Sequence, residues 1–408
     1  MPTVELQVVR LAHTGEGVAS FEGRSVFIEG ALPGEKVRAS VTQGKVLKGE
    51  LLEVLEANPA RRKPPCPLAD RCGGCDWLHF DEAAQREAKQ QAVVAALEHL
   101  GGFAPGSYPS LPMVWGERAM GYRRRAVMHP AQGGLGFFGR RSHERVKVDR
   151  CPALTGPLES LPQKLGLAPV LKELEEVRLL ESGGKVAVAL VTRAAPKPKL
   201  LKKAEELCAL KGVQGVSVVA PNGTVTSFGR PELAEGAVRM RPELFAQANA
   251  EVNARLVSAA VERLAPGKSE RVLELYAGNG NFTVELAPRA QQVVAVESSK
   301  GSVTLGQKLQ LPNVKWIEGD ALKTAKGLST EAQFDALLLD PPRTGAPGIA
   351  GVARLVGAKR VLYVACDAAA LARDGRELAK SGYELSSVQV FDLFPQTRHV
   401  ETLALFAR

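Results

Sequence analysis

Five of the six cysteines in this chain have a type and setting that could do chemistry. Cys66, Cys72 and Cys75 form a C-x5-C-G-G-C group, and Cys151 follows well downstream, before a proline. Three close thiols and a distant fourth suit a four-thiolate centre, which takes either structural zinc or an iron–sulfur cluster. Cys366 stands alone after the apolar run Val361-Leu-Tyr-Val-Ala365. A lone cysteine in such a place is ordinarily buried filler. Here it ends a strand beside Asp367, above a cofactor crevice described below, and that setting makes it a candidate nucleophile. Cys208, within Glu205-Glu-Leu-Cys-Ala-Leu, fits the filler role.

The elements that must position these thiols are legible as patterns. From about residue 240 onward, short apolar runs alternate with helical segments: Val272–Leu275, Gln292–Val296, Val314–Ile317, Ala336–Leu339 and Val361–Val364. Near-continuous apolar strands joined by helices predict a mostly parallel sheet covered on both faces, a Rossmann-like domain. The first strand runs into Tyr276-Ala-Gly-Asn-Gly-Asn281, whose glycines let backbone approach a ligand at the carboxyl end of the sheet. Glu297, Asp320 and Asp340 then end the next three strands, where carboxylates can accept hydrogens from a ligand's hydroxyls. Position 283 is Thr where a dinucleotide fingerprint wants a third glycine. This favours S-adenosylmethionine, which has no pyrophosphate, over NAD. Asp340-Pro-Pro-Arg343 leaves the fourth strand as a loop stiffened by consecutive prolines. Glu401 opens a last apolar strand, His399 to Phe406, and matters only if that strand returns beside the one carrying Cys366.

Residues 1–57 read as short strands at Val4–Val9, Ser25–Ile28, Glu35–Val41 and Gly49–Leu55, separated by turn residues, which predicts a small OB-like barrel of a kind that commonly binds oligonucleotides. A Pro-rich basic linker, Asn58–Pro65, leads to the cysteine group and then to a helix over Glu82–Leu100. Residues 58–238 are read as a central α/β domain, with strands at Lys185–Val191 and Gly215–Val219, and 239–408 as the catalytic domain. The 408 residues carry 53 Lys and Arg against 44 Asp and Glu. That excess gathers at Arg118, Arg123, Arg124, Arg125, Arg140, Arg141, Arg145, Lys147 and Arg150, a candidate surface for phosphates. No run approaches the roughly 18 apolar residues of a membrane helix, and the N-terminus lacks a signal-peptide pattern. The expectation is a cytoplasmic monomer with an RNA partner and no membrane association.

In combination these motifs resemble the RNA uracil-5-methyltransferase family. The resemblance rests on Leu275-Tyr-Ala-Gly-Asn-Gly-Asn-Phe282, Asp340-Pro-Pro-Arg, Tyr363-Val-Ala-Cys366 and His399-Val-Glu401. Cys66, Cys72, Cys75 and Cys151 resemble the [4Fe-4S] site of its ribosomal-RNA-modifying members, with structural zinc as the alternative. The opening barrel is similar to the TRAM domain of members acting on large-subunit rRNA. The resemblance implies methylation of carbon 5 of a uridine, in 23S rRNA, with Cys366 as nucleophile and Glu401 as base. It further implies that Gln247, in Phe245-Ala-Gln-Ala-Asn249, joins Tyr276, Asn281, Glu297 and Asp320 in holding the donor. Asp340 is expected near the donor's methionine part or the target base.

The family commonly reads S-C-N-P around the nucleophile, whereas this chain reads Ala365-Cys-Asp-Ala368. A carboxylate beside a thiol raises its pKa, opposite to activation; Arg343 or Arg373 could lower it. Two other functions use the same features: cytosine-5 methylation by the same cysteine chemistry, and an RNA-binding or redox protein with an inactive methylase domain.

Overall fold

A computed structural model of the protein describes residues 2–330 and 333–408. In it the alternating C-terminal pattern folds as an eight-stranded sheet. In chain order the strands are β1 (Ser110–Trp115), β2 (Arg271–Leu275), β3 (Gln292–Glu297), β4 (Val314–Glu318), β5 (Ala336–Leu339), β6 (Arg360–Ala365), β7 (Glu384–Asp392) and β8 (Glu401–Ala407). In space they run β4-β3-β2-β5-β6-β8-β7-β1. From β4 to β6 all neighbours are parallel, while β8 is antiparallel to both β6 and β7. Chain order reverses between β2 and β5, so the crevice that such sheets offer ligands opens there, at the strands' carboxyl ends.

The period of two along each strand divides the sheet's side chains between two cores. Val272, Leu338, Leu362, Val364 and Leu403 pack under helix Ala250–Leu264. Leu273, Leu337, Val361 and Tyr363 face the other way, into a core shared with residues of helix Glu82–His99 and helix Ala368–Lys380. We number these helices α1 (Glu82–His99), α2 (Ala250–Leu264) and α3 (Ala368–Lys380). The α1 helix matches its predicted span closely, with Asp81 as its N-cap, accepting from the Ala83 amide at 2.9 Å. Both α1 and β1 come from the segment read as central domain, yet they complete the catalytic sheet and its core.

The rest of that segment forms a seven-stranded sheet containing the expected strands, at Lys185–Thr192 and Val213–Val219, a parallel pair spanned by helix Pro198–Leu207. The N-terminal unit is a six-stranded sheet, including Arg10–Leu11 and Gly17–Phe21, which the alternation of the sequence did not mark. Its buried Glu35 accepts from the Leu32 amide and from Arg61, at 2.8 Å each, so the basic linker is bound to the barrel rather than free. Among the described residues no helix is long and apolar enough to cross a membrane.

One tertiary contact bears directly on Glu401. The loop joining β7 to β8 is held by α1. Lys89, fully buried, donates to the Asp392 carboxylate at 2.6 Å and to the Phe394 carbonyl at 2.9 Å. Gln85 accepts from the Gln396 amide at 2.9 Å. Removing one partner of a buried ion pair leaves the other charge without compensation. Lys89→Ala is therefore expected to lower the urea midpoint by the equivalent of about 3–5 kcal/mol, whereas the double change Lys89→Met, Asp392→Leu loses much less. Equal losses in the single and double variants would refute the pairing as the source of the effect.

Candidate active site

The pairing of β6 with β8 assembles the reactive edge. Val364 lies opposite Leu403 and Ala365 opposite Thr402, and the next step of that antiparallel register sets Cys366 opposite Glu401. Both side chains belong, by the period of two, to the face covered by α2. Asp340, two positions beyond Leu338, falls on that face too, and so does Glu274 in β2. The condition attached to Glu401 is met: its strand does return beside the one carrying Cys366.

Electrostatics at this edge oppose ionisation. Burial pushes the Cys366 thiol up to about 12, with the carboxylates of Glu401 and Asp340 adding to the rise. Glu401 is itself raised, first by burial and then by Asp340, and its Oε2 has no hydrogen-bond partner among the described residues. Burial raises Asp340 to about 7. Arg343 works in the opposite sense on Cys366 and Glu401. Its guanidinium lies 3.2 Å from Nε2 of His399, whose imidazole is pushed down to about 4 by burial and by Arg343. Arg373, the other candidate for activating the thiol, is engaged elsewhere: it binds Asp374 and the Thr344 carbonyl, each at 2.8 Å.

Asp367 differs from its expected effect. Its carboxylate turns away to cap α3, accepting from the Ala370 amide at 2.8 Å. The negative charges acting on Cys366 come from Glu401 and Asp340 instead. Asn and Asp are comparable N-caps, so the departure from S-C-N-P preserves the local fold.

Three residues that sequence reasoning passed over complete the frame. Asp374, buried on α3, accepts from the Ala346 amide at 2.7 Å and the Tyr363 hydroxyl at 2.8 Å, pinning the Pro-rich loop. Nothing in its sequence setting marks it. Glu274, fully buried, takes the Thr283 hydroxyl on one oxygen at 2.6 Å, and burial with the nearby Asp340 raises it to about 8. An acid inside the apolar run Val272–Leu275 was a visible signal. His399 was visible only as part of the family motif.

The glycine loop lies at the switch point as expected. Tyr276 adopts φ +61°, a strained conformation for a non-glycine residue. Gly278 has φ +57° and open space where a Cβ would stand. Glu297 braces this turn, accepting from the amides of Gly278 at 3.0 Å and Ser299 at 2.7 Å. Asp320 caps the following helix through the Lys323 amide at 2.8 Å. Asn281 exchanges amide hydrogen bonds with Asn253 of α2, at 2.9 and 3.0 Å. Gln247 is buried nearby, its carbonyl held by Arg124 Nε at 2.8 Å. Glu297 and Asp320 thus already serve the backbone at the carboxyl ends of β3 and β4.

The four clustered cysteines also meet. Cys66, Cys72, Cys75 and Cys151 line one cavity of about 50 Å³, with Leu68, Leu78, Tyr122 and Phe137 among its apolar walls. Among the described residues no group of three or more His, Cys, Asp and Glu side chains has the geometry to hold a metal ion. Cys208 packs against the core of the central sheet, as filler does.

The basic stretch does not form one surface. Arg124 is buried on Glu235 and the Gln247 carbonyl. Arg140 holds the Ala69 and Cys75 carbonyls and reaches Glu29 of the barrel at 3.0 Å. Arg141 pairs with Glu16 and Glu29, Lys147 with Asp149, and Arg150 with Glu159. Part of the positive charge read as RNA-facing therefore ties the central sheet to the N-terminal unit, to the cysteine loop and to the stretch before α2.

Comparison with known proteins agrees with this geometry. Residues 2–52 match the TRAM domain family, and residues 235–408 match the tRNA (Uracil-5-)-methyltransferase family. The chain is 36% identical over 426 residues to the 23S rRNA (uracil(1939)-C(5))-methyltransferase RlmD of Pseudomonas putida, covering 98% of this chain and 93% of that protein. The protein of the same name from Alkalilimnicola ehrlichii is 36% identical over 431 residues, covering 99% and 96%. In fold, the chain is similar to the Pyrococcus abyssi tRNA (uracil-54, C5)-methyltransferase, crystallised with S-adenosyl-L-homocysteine. That likeness has a TM-score of 0.76 at 20% identity, over 99% of this chain and 100% of the other. With the reactive edge, the glycine loop and full-length relatives in agreement, the chain belongs to the RNA uracil-5-methyltransferase family.

Proposed function

We propose that this chain methylates carbon 5 of a uridine in RNA, with 23S rRNA as the substrate class, through a covalent bond between Cys366 and carbon 6 of the base. One observation carries the reading: the β6–β8 register that sets a thiol opposite a carboxyl group at the edge where the glycine loop opens. The names of the full-length relatives and the TRAM match support rRNA as the substrate.

S-Adenosylmethionine supplies an electrophilic methyl group when bound, and Gln247, Tyr276, Asn281, Glu297, Asp320 and Asp340 would hold it. The open space at Gly278 and the loop's place at the switch point fit such a ligand. Carbon 5 of uracil is a weak nucleophile. The Cys366 thiolate adds to carbon 6, and the electron pair of the 5,6 double bond moves toward carbon 5 and the adjoining carbonyl. Carbon 5 can then take the methyl group. Glu401 next removes the proton left on carbon 5, the double bond re-forms, and the sulfur leaves as thiolate. Arg343 is the positive charge that favours the thiolate before attack. The target base must be out of its stack to reach this edge.

The same reading assigns Cys66, Cys72, Cys75 and Cys151 to a [4Fe-4S] cluster. Four thiols lining one largely apolar cavity are a cluster's donor set, and the resemblance of their spacing to the family's cluster site favours iron–sulfur over a zinc ion, which the same four thiolates could also hold. No catalytic step needs the cluster. Its place beside Arg140 and Tyr122, whose hydroxyl donates to the Pro395 carbonyl at 3.1 Å, gives it a bracing role.

Three outcomes are expected. Glu401→Gln lowers turnover by about 10²–10⁴ and accumulates an SDS-stable protein–RNA adduct, while Cys366→Ala forms none; an adduct in the Ala variant would remove Cys366 as nucleophile. In the free enzyme, alkylation of Cys366 by iodoacetamide, read by mass spectrometry of its peptide, is slow at pH 8. It should rise about tenfold per pH unit up to pH 10, because a raised pKa leaves only a small thiolate fraction; a plateau near the ordinary value of about 8.5 would contradict the burial argument. Protein purified without oxygen should contain iron and sulfide, lost together in Cys75→Ala. Zinc without iron would reverse that assignment.

A further inference from the structure

Once the paired basic residues are set aside, Arg123 and Arg125 stand out by position. Both are half-buried, and the Nε of each is shielded from solvent without a hydrogen-bond partner. The Arg125 guanidinium makes no ion pair and no hydrogen bond among the described residues. The carboxylate that attracts it, Glu176, is already bound by Arg178 through Nε at 2.9 Å and through its terminal nitrogen at 2.8 Å. Arg178 and Arg123 both repel Arg125, and with burial they bring it down to about 10. Phe245, 64% exposed, lies over the guanidinium at 5.6 Å. A half-buried cation with two like charges for neighbours is costly unless an anion joins it, and the Phe245 ring offsets only part of that cost.

The place of this cation narrows which anion that is. Arg125 begins a strand, Arg125–Ala131, of the central sheet, and the preceding Arg124 fixes the Gln247 and Ala248 carbonyls of the donor-side stretch. Arg123 lies over Phe394 at 6.0 Å, Phe394 meets His399 edge-on at 6.3 Å, and His399 touches Arg343 of the reactive edge. Two guanidinium groups thus lie between the central sheet and the catalytic edge, Arg125 without a hydrogen-bond partner among the described residues and Arg123 beside the Tyr122 hydroxyl and the Phe394 ring.

We propose that Arg125, backed by Arg123, is the seat for a backbone phosphate of the substrate RNA next to the target nucleotide, with Phe245 as the aromatic wall of that seat. This rests on the RNA-methylating reading but not on which base is methylated. A guanidinium presents a planar fork of donors to phosphate oxygens. The phosphodiester supplies the negative charge that the protein withholds, so the seat is favourable only when RNA is bound.

The test uses the full-length protein and an unmethylated 23S rRNA transcript, with binding measured in the absence of donor at several salt concentrations. Arg125→Ala should weaken RNA binding about 10–100-fold, the range for hydrogen bonds to a charged group. It should also reduce the slope of log affinity against log salt by about 0.7, one single-stranded phosphate contact. Arg125→Lys should keep the slope and recover part of the affinity. Affinity for S-adenosylmethionine, measured separately by calorimetry, should stay within twofold. Unchanged RNA affinity and slope in the Ala variant would overturn the proposal. So would a loss confined to S-adenosylmethionine, which would assign Arg125 to the donor's carboxylate. If Arg125→Ala fails to fold by circular dichroism, Arg125→Gln, read by the same slope, decides. Transfer to cytosine rather than uridine would refute the base assignment and leave the phosphate seat standing, whereas wild-type protein that does not bind RNA would sink both.

Discussion

Everything at the reactive edge depends on one strand running against its neighbours. In a parallel sheet the start of a strand lies at the opposite edge from the ligand crevice, so a residue that opens a parallel strand cannot reach the chemistry. β8 runs antiparallel between β6 and β7. That reversal brings its first residue, Glu401, to the edge where β6 ends in Cys366. The pairing Ala365–Thr402 sets the two groups on one face, and a slip of a single residue would turn Glu401 to the other face of the sheet. Catalytic geometry here is a matter of register before it is a matter of side chains.

That register gathers groups that disfavour each other's charge. Cys366, Glu401, Asp340 and Glu274 share one face, and burial raises each of them. Such clustering is characteristic of sites that move protons, where a group's affinity for its proton must change as the reaction proceeds. Arg343 is the countercharge, set on a loop that Asp374 pins from α3. The stability lost at this edge is recovered elsewhere, in the two apolar layers beneath α2 and against α1 and α3.

The parts of this design that follow from local pattern were legible in the sequence. Apolar runs gave β2 through β6, glycines at 278 and 280 gave the turn, and the spacing of the cysteines gave their shared cavity. What was not legible depends on distant partners. Asp367 was read as a charge beside a thiol, because N-capping depends on the direction of a side chain that sequence does not carry. The arginines from 118 to 150 were read as one surface. Their partners, Glu16, Glu29 and Glu235, lie elsewhere in the chain. The placement of β1 in the catalytic sheet and of α1 against its core escaped notice for the same reason: both pack against segments made far later.

The anchor between α1 and the β7–β8 loop has a consequence for how the molecule comes into being. Lys89 and Asp392 are 303 positions apart. During synthesis α1 emerges with a bare ammonium group that prefers water, so this face of the helix has reason to stay hydrated until its partner is made. Contacts of such separation form late and slowly. The loop that leads into Glu401 is therefore organised only after Asp392 and Phe394 have left the ribosome, and a product truncated before them would carry Cys366 without a carboxyl group set opposite it.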